Sequence, residues 1–214
     1  MLEDFFYGSL ILTSIVAVTF IVERALALRW KKVVPTQVEH AVDTFNSQAD
    51  LPLVRAACEQ NPSALGRLLL VVINHLRGPR AEAIDALETK ARHEVLLLER
   101  WLVVLEIIIG IAPLLGLVGT VYGLISLFSG LSTSNALGDY GQLSRGIGLA
   151  LYTTLMGLLI AIPSLIAWSF YSKKVETLTV EMETICDEFL RRAYRKGDGG
   201  SPASKAAKSA DARV

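Results

Sequence analysis

Residues 111–128 read IAPLLGLVGTVYGLISLF: eighteen positions without a charge, interrupted by Pro113, Gly116, Gly119, Gly123 and Thr120. Proline removes a helix hydrogen bond, and each glycine costs a helix about 1 kcal/mol relative to alanine. Such a stretch forms a helix only where the alternative is worse, as in lipid, where every unpaired backbone group carries a heavy penalty. Positions three and four apart share a helix face, so Ala112, Gly116, Gly119, Gly123, Ser126 and Gly130 make a stripe of small side chains. A matching stripe, Gly146, Ala150, Thr153, Gly157, Ala161 and Ser164, runs along residues 146–172. Small stripes let helix backbones approach closely, the main attraction between helices in lipid.

Outward from these stripes, the chain has 214 residues, 52% of them hydrophobic, and no formal net charge. This balance points to a membrane protein and gives no reason to expect nucleic-acid binding. Uncharged runs occupy 5–22, 107–138 and 146–172, each able to supply the ~20 apolar residues a bilayer core requires. The acidic start MLEDFF and the absence of a small-x-small cleavage site argue against a signal peptide. Arg24, Arg29, Lys31 and Lys32 follow the first run, and Lys173 and Lys174 follow the third. The positive-inside rule then places the N-terminus and the second-to-third connection outside, with the C-terminus in the cytoplasm.

These readings define an all-α membrane protein with three transmembrane helices, N-out and C-in, the second and third extended into a cytoplasmic helical bundle. The expected order is an external N-terminus (1–4), transmembrane helix 1 (5–29), a cytoplasmic helical insert (30–101) and transmembrane helix 2 (102–131). An external loop (132–145), transmembrane helix 3 (146–172), a cytoplasmic amphipathic helix (173–196) and a disordered tail (197–214) follow. Ile84, Leu87, Ala91, Val95, Leu98, Leu102 and Leu105 recur at helical spacing with no breaker, predicting one helix from Arg80 into the second span. Val175, Leu178, Met182, Ile185 and Phe189 form a coiled-coil-like seam after the third. Cys58 and Cys186 lie within otherwise polar helical patterns and read as reduced thiols.

No phosphate-binding loop, metal-ligand spacing or nucleophile–base constellation is present, so neither an enzyme nor a metal or cofactor is expected. His40, His75 and His93 lack metal spacing, and Trp30, Trp101 and Trp168 suit an interfacial belt. Glu106, at the cytoplasmic mouth of span two, is a candidate gate, with an ordinary interfacial charge as the competing reading. Glu23 and Arg24 read as interface anchors.

The segments APLLGLVGTVYG (112–123) and GIGLALYTTLMGLLIAIP (146–163) carry a resemblance to the MotA/TolQ/ExbB proton-channel family, nearest its ExbB/TolQ branch. Both long motifs keep their spacing and order, Pro113 and Pro163 included, and IVERAL at the end of span one is also similar. The resemblance implies a homopentamer in the bacterial inner membrane around a dimer of a single-span ExbD/TolR-like partner, whose membrane aspartate carries the ion. It implies work passed to a TonB- or TolA-like protein for outer-membrane transport or envelope maintenance. By this similarity Thr120 and Thr154, with Thr153 beside them, belong to the ion pathway, and Gly116, Gly119, Gly123, Gly157, Pro113 and Pro163 to the helix-packing framework. A hydroxyl both donates and accepts, which suits a site facing a carboxylate in two protonation states. One departure stands out. The best-known ExbB and TolQ proteins have a glutamate five residues before the span-three threonine, where this chain has Leu149. That position keeps open a non-conducting oligomeric membrane scaffold and a related gliding or surface-motility stator, and the choice between proton and sodium stays open as well.

Overall fold

An uncharged segment as long as a bilayer is thick satisfies its backbone by becoming a helix. The three such segments are helical in the computed structural model, which describes residues 2–133 and 140–198. The helices are α1 (Leu2–Ala27), α2 (Trp30–Val33), α3 (Thr36–Asp43), α4 (Leu51–Gln60), α5 (Ala64–His75), α6 (Arg80–Glu99), α7 (Leu102–Thr133) and α8 (Tyr140–Asp198). Those long and apolar enough to cross a membrane are α1 over Phe6–Ala27, α7 over Leu102–Ser129 and α8 from Gly146 onward. The chain is an all-α membrane protein. Of the expected 132–145 loop, residues 134–139 lie outside the described residues, while 132–133 end α7 and 140–145 open α8; of the 197–214 tail, residues 199–214 lie outside them. The fold divides into two units, Met1–Leu26 with Arg100–Lys173 and Ala27–Glu99 with Lys174–Val214.

In the first unit α1, α7 and α8 meet through small side chains. Ala17, Ile108, Ala112 and Ala161 form a buried cluster, flanked by Val16, Val104 and Ile160. The closest approach is between α7 and α8. A Cβ placed on Gly157 would stand 2.5 Å from the Ala112 carbonyl oxygen and 3.3 Å from the Gly116 Cα. One placed on Gly116 would meet the Thr153 carbonyl oxygen at 2.8 Å and the Thr154 Cα at 2.9 Å. The neighbours are backbone, so only separation of the helices could make room. On the α1 side, the Tyr171 hydroxyl donates to the Ile21 carbonyl at 3.0 Å. Ile11, Ile15, Val18, Leu114, Leu117, Ile125 and Ile166 point outward and exposed, as helices facing lipid or further helices require.

The second unit follows the rules of a core formed in water. Ser63 caps α5 by accepting from the Gly66 N–H at 3.0 Å, and Leu65, Leu68, Leu69 and Val72 are buried behind it. Phe45 and Phe189 pack with ring centroids 5.0 Å apart. The Tyr194 hydroxyl donates to the Gly78 carbonyl at 3.0 Å, and Arg192 donates to the Asp43 carbonyl at 3.2 Å.

Three details depart from the pattern in the sequence. The helix expected to run unbroken from Arg80 is interrupted at Arg100–Trp101. There the Trp101 ring lies 5.7 Å from that of Phe20, and the Arg100 guanidinium sits 4.6 Å above it. The seam on α8 passes through Cys186, fully buried, while Ile185 is only half-buried. A thiol packs as a small apolar group, so the seam continues after Met182 through Cys186 and Phe189, with Leu190 and Ala193 buried beyond them. On α6 the buried face carries Glu94, at 1% exposure. Arg67 from α5 meets its carboxylate in a two-pronged bond, with Nε to Oε1 at 2.9 Å and Nη2 to Oε2 at 2.5 Å. Lys90 adds a contact at 3.0 Å. Burial pushes the Glu94 carboxyl up, but the hydrogen bonds from Arg67 and Lys90 outweigh it and hold the pKa below the ordinary value.

Two expectations follow for thermal unfolding in detergent. Gly157→Ala should cost about 1–3 kcal/mol, the usual penalty for overpacking. Gly110→Ala should cost nothing, because nothing lies within 4 Å of its missing Cβ. Arg67→Met leaves a buried carboxylate with Lys90 alone and should cost about 2–3 kcal/mol. Glu94→Gln leaves cations that reach solvent and should cost about 1 kcal/mol. Because the Glu94 pKa is depressed in the fold, its contribution is full above the ordinary carboxylate pKa and fades as pH falls through the folded value. The acid limb of the stability profile should therefore flatten in Glu94→Gln.

Candidate functional site

Where α7 and α8 touch, three hydroxyls converge in an otherwise apolar seam. The Thr120 Oγ1 lies 3.1 Å from the Gly116 carbonyl and 3.0 Å from the Ala150 carbonyl. It also lies 3.5 Å from the Thr153 Oγ1 and forms a short contact with the Thr154 Oγ1. The Thr153 Oγ1 reaches the Ala150 carbonyl at 2.7 Å and the Gly116 carbonyl at 3.2 Å. That of Thr154 reaches Gly116 at 3.2 Å. The missing side chains explain the convergence. Gly116 presents its carbonyl and Gly119 its bare Cα, with the Thr153 Oγ1 2.9 Å from where a Gly119 Cβ would stand.

Three hydroxyls have only three protons to donate, and the cluster offers more acceptor positions than that. Each hydroxyl can therefore rotate between a carbonyl and a neighbouring hydroxyl without leaving the network unsatisfied. Such a group can present either an O–H or a lone pair to an incoming carboxyl. Exposure separates the three. Thr153 is buried at 5% and faces the seam, whereas Thr120 and Thr154 are half-exposed and open to whatever lies beside the protomer. Beside Thr153 lies a small cavity of about 20 Å³, lined by Phe6, Tyr7, Gly119, Tyr122, Gly123 and Ala150. It is roughly the size one water molecule needs.

The other positions singled out from the sequence fall around this cluster. Gly123 packs against Ala150, its missing Cβ 3.1 Å from the Ala150 Cβ. Pro113 sits half-buried inside α7, and Pro163 is exposed inside α8. Both are helix-interior prolines, so the carbonyls of Ile109 and Leu159 lose their usual donors. Glu106 lies one turn into α7 and is exposed, away from the threonines in sequence and on the face opposite Leu105 and Ile108. Leu149 falls within α8, and its side chain lies outside the described residues. Arg24, read as an interface anchor, is 5% exposed, with its Nε donating to Glu23 at 2.6 Å. The sequence reading missed the carbonyls of Gly116 and Ala150 as members of the site. Superposing the two small-residue stripes would have brought them opposite one another.

Comparison with known proteins gives the family. A model of the MotA/TolQ/ExbB proton channel family matches residues 60–184. An ExbB-like biopolymer transport protein of Synechocystis is 35% identical over 178 residues, covering 78% of this chain and 69% of the relative. The ExbB biopolymer transport protein of Aquifex aeolicus is 31% identical over 120 residues, 56% of this chain and 80% of its own. The TolQ protein of the Pseudomonas aeruginosa Tol-Pal system is 38% identical over 85 residues, 40% of this chain and 36% of its own. The matched range holds α7, the threonine cluster and the membrane part of α8, and on that ground the chain belongs to the MotA/TolQ/ExbB proton channel family, in its ExbB/TolQ branch.

Proposed function

We propose that the chain is the ion-conducting stator subunit of a bacterial inner-membrane motor of the ExbB–ExbD or TolQ–TolR kind. The observation that carries this reading is the pair of half-exposed hydroxyls, Thr120 and Thr154, set in a helix seam that is otherwise apolar. A threonine in a span often does no more than bond the carbonyl one turn back; the family's motifs at these two positions, together with their exposure, are what favour a role in the ion path. In this reading a single-span ExbD/TolR-like partner places its membrane aspartate against Thr120 and Thr154. Their hydroxyls accept from the protonated acid and donate to the carboxylate in turn. Thr153, tied to the Ala150 carbonyl and buried, holds the seam and orients its neighbours. Five copies surround two partner helices, with the N-terminus outside and the α6 and distal α8 helices in the cytoplasm. The work goes to a TonB- or TolA-like protein. Glu106 sits where an ion would leave toward the cytoplasm.

Leu149 favours a second reading, a scaffold that assembles the same ring without conducting, because no acid stands in the third span to help a proton across. Flux separates the two readings. The chain, co-expressed with its single-span partner, is reconstituted into liposomes and proton or sodium flux is followed under a pH gradient or potential. Thr120→Val and Thr154→Val should each lower flux at least about tenfold, the effect of about 1.4 kcal/mol on the barrier, while the mass of the complex is unchanged. Flux at the original level in both variants would overturn the role of these hydroxyls. A complex of full mass that passes no ion in its native form would establish the scaffold.

A further inference from the structure

Immediately after the first candidate span comes Arg29-Trp30-Lys31-Lys32, four consecutive residues that are all exposed. The span ends at Ala27. Two residues of chain cover at most roughly 7 Å, and the one-turn helix α2 adds on the order of 5 Å. The headgroup layer is roughly 5–8 Å deep on each side of the hydrocarbon. Covalent reach alone therefore keeps these three cations, with their long side chains, within or beside that layer.

The segment is also fixed. Leu28, Val33 and Val34 on either side are buried at 0%, 3% and 0%. The backbone closes on itself, with the Lys32 N–H donating to the Arg29 carbonyl and the Val34 N–H to that of Trp30, both at 2.8 Å. The apolar side chains hold the turn from behind, and the charged ones project forward. Among the described residues, no acid pairs with the side chains of Arg29, Lys31 or Lys32. Two cations of the first unit are differently placed: Arg24 is bonded to Glu23, and Arg100 lies over the Trp101 ring. Trp30, 40% exposed, adds an indole of the kind that settles at the boundary between headgroup and acyl chain.

We propose that Arg29, Trp30, Lys31 and Lys32 form a binding site for the phosphate headgroup of an anionic phospholipid in the cytoplasmic leaflet. The guanidinium of Arg29 takes the phosphodiester by paired N–H donors. The two ammonium groups supply charge, and Trp30 packs along the glycerol and upper acyl chain. The site thereby ties the second unit's first turn to the charge of the leaflet. It rests on the cytoplasmic placement of residue 29 but on none of the ion-conduction reading.

Trp30 reports the site directly. In Trp101→Phe/Trp168→Phe chain it is the remaining tryptophan, and its fluorescence is read in phosphatidylcholine vesicles containing phosphatidylglycerol, with bromine placed near the top of the acyl chains of one lipid or the other. Bromolabelled phosphatidylglycerol should quench Trp30 several-fold more strongly than bromolabelled phosphatidylcholine at the same mole fraction. Each basic residue near an anionic surface contributes about fivefold, equivalent to about 1 kcal/mol, so Arg29→Gln/Lys31→Gln/Lys32→Gln should remove the preference. Should the double-Phe background fail to fold, phosphatidylglycerol retained by the native chain and by the triple-Gln chain after purification is counted by mass spectrometry, with the same expected loss. Equal quenching by the two lipids, or a preference that survives in the triple-Gln chain, would overturn the proposal. So would loss of the preference on adding inorganic phosphate, since the site would then serve a soluble anion.

Discussion

The approach of two backbones at Gly116 and Gly157 is the constraint from which the first unit follows. With the Ala112 carbonyl 2.5 Å from where a Gly157 Cβ would stand, no side chain separates α7 from α8 at that level. Dispersion between closely packed atoms is the attraction such a contact can use in lipid, where there is no hydrophobic effect to bring helices together. The same closeness exposes carbonyls of one helix to side chains of the other. Thr120, Thr153 and Thr154 occupy that position, and their hydroxyls join Gly116 and Ala150 across the seam. The polar site is thus a product of the apolar packing: bulky residues in the stripe would push the helices apart and dissolve it.

The second unit is built on the opposite principle. Its helices bury large side chains against one another, Leu65, Leu68, Leu178, Met182 and Phe189 among them, and that burial holds them together. The ion pair between Arg67 and the buried Glu94 fixes α5 against α6 with directional bonds, where an apolar contact would allow sliding. One chain therefore contains two kinds of core. The membrane unit selects small residues and tolerates helix-interior prolines, and the other selects large aliphatic and aromatic ones.

Much of this was legible in the residues. Charge-free length identified the three spans, and three-and-four spacing identified the stripe faces, because both depend on single-helix geometry. What escaped depends on which helix lies beside which. Glu94 was not singled out, because its burial depends on Arg67, 27 residues away on another helix, with Lys90 beside it. Cys186 was grouped with polar neighbours although a thiol packs as an apolar group. Arg100 and Trp101 carry no breaker signature, yet α6 and α7 are separate there, at the point where Trp101 meets Phe20. The threonines were singled out by the family resemblance, each on its own helix. Their convergence required the two stripes to face each other, which spacing within a helix does not encode.

The two buried thiols have a practical meaning. Cys58 and Cys186 are 2% and 0% exposed, and burial, with Glu59 adding to it, pushes the Cys58 thiol up to about 11. A raised pKa disfavours the thiolate, which is the reactive form, and burial keeps reagents from both sulfurs. The folded chain is therefore nearly silent to maleimides without any residue being replaced. A single cysteine introduced on an outward face of α1 or α7 would be the site that takes a fluorophore or spin label, which turns the natural sequence into a ready background for following this protein's motion in a bilayer.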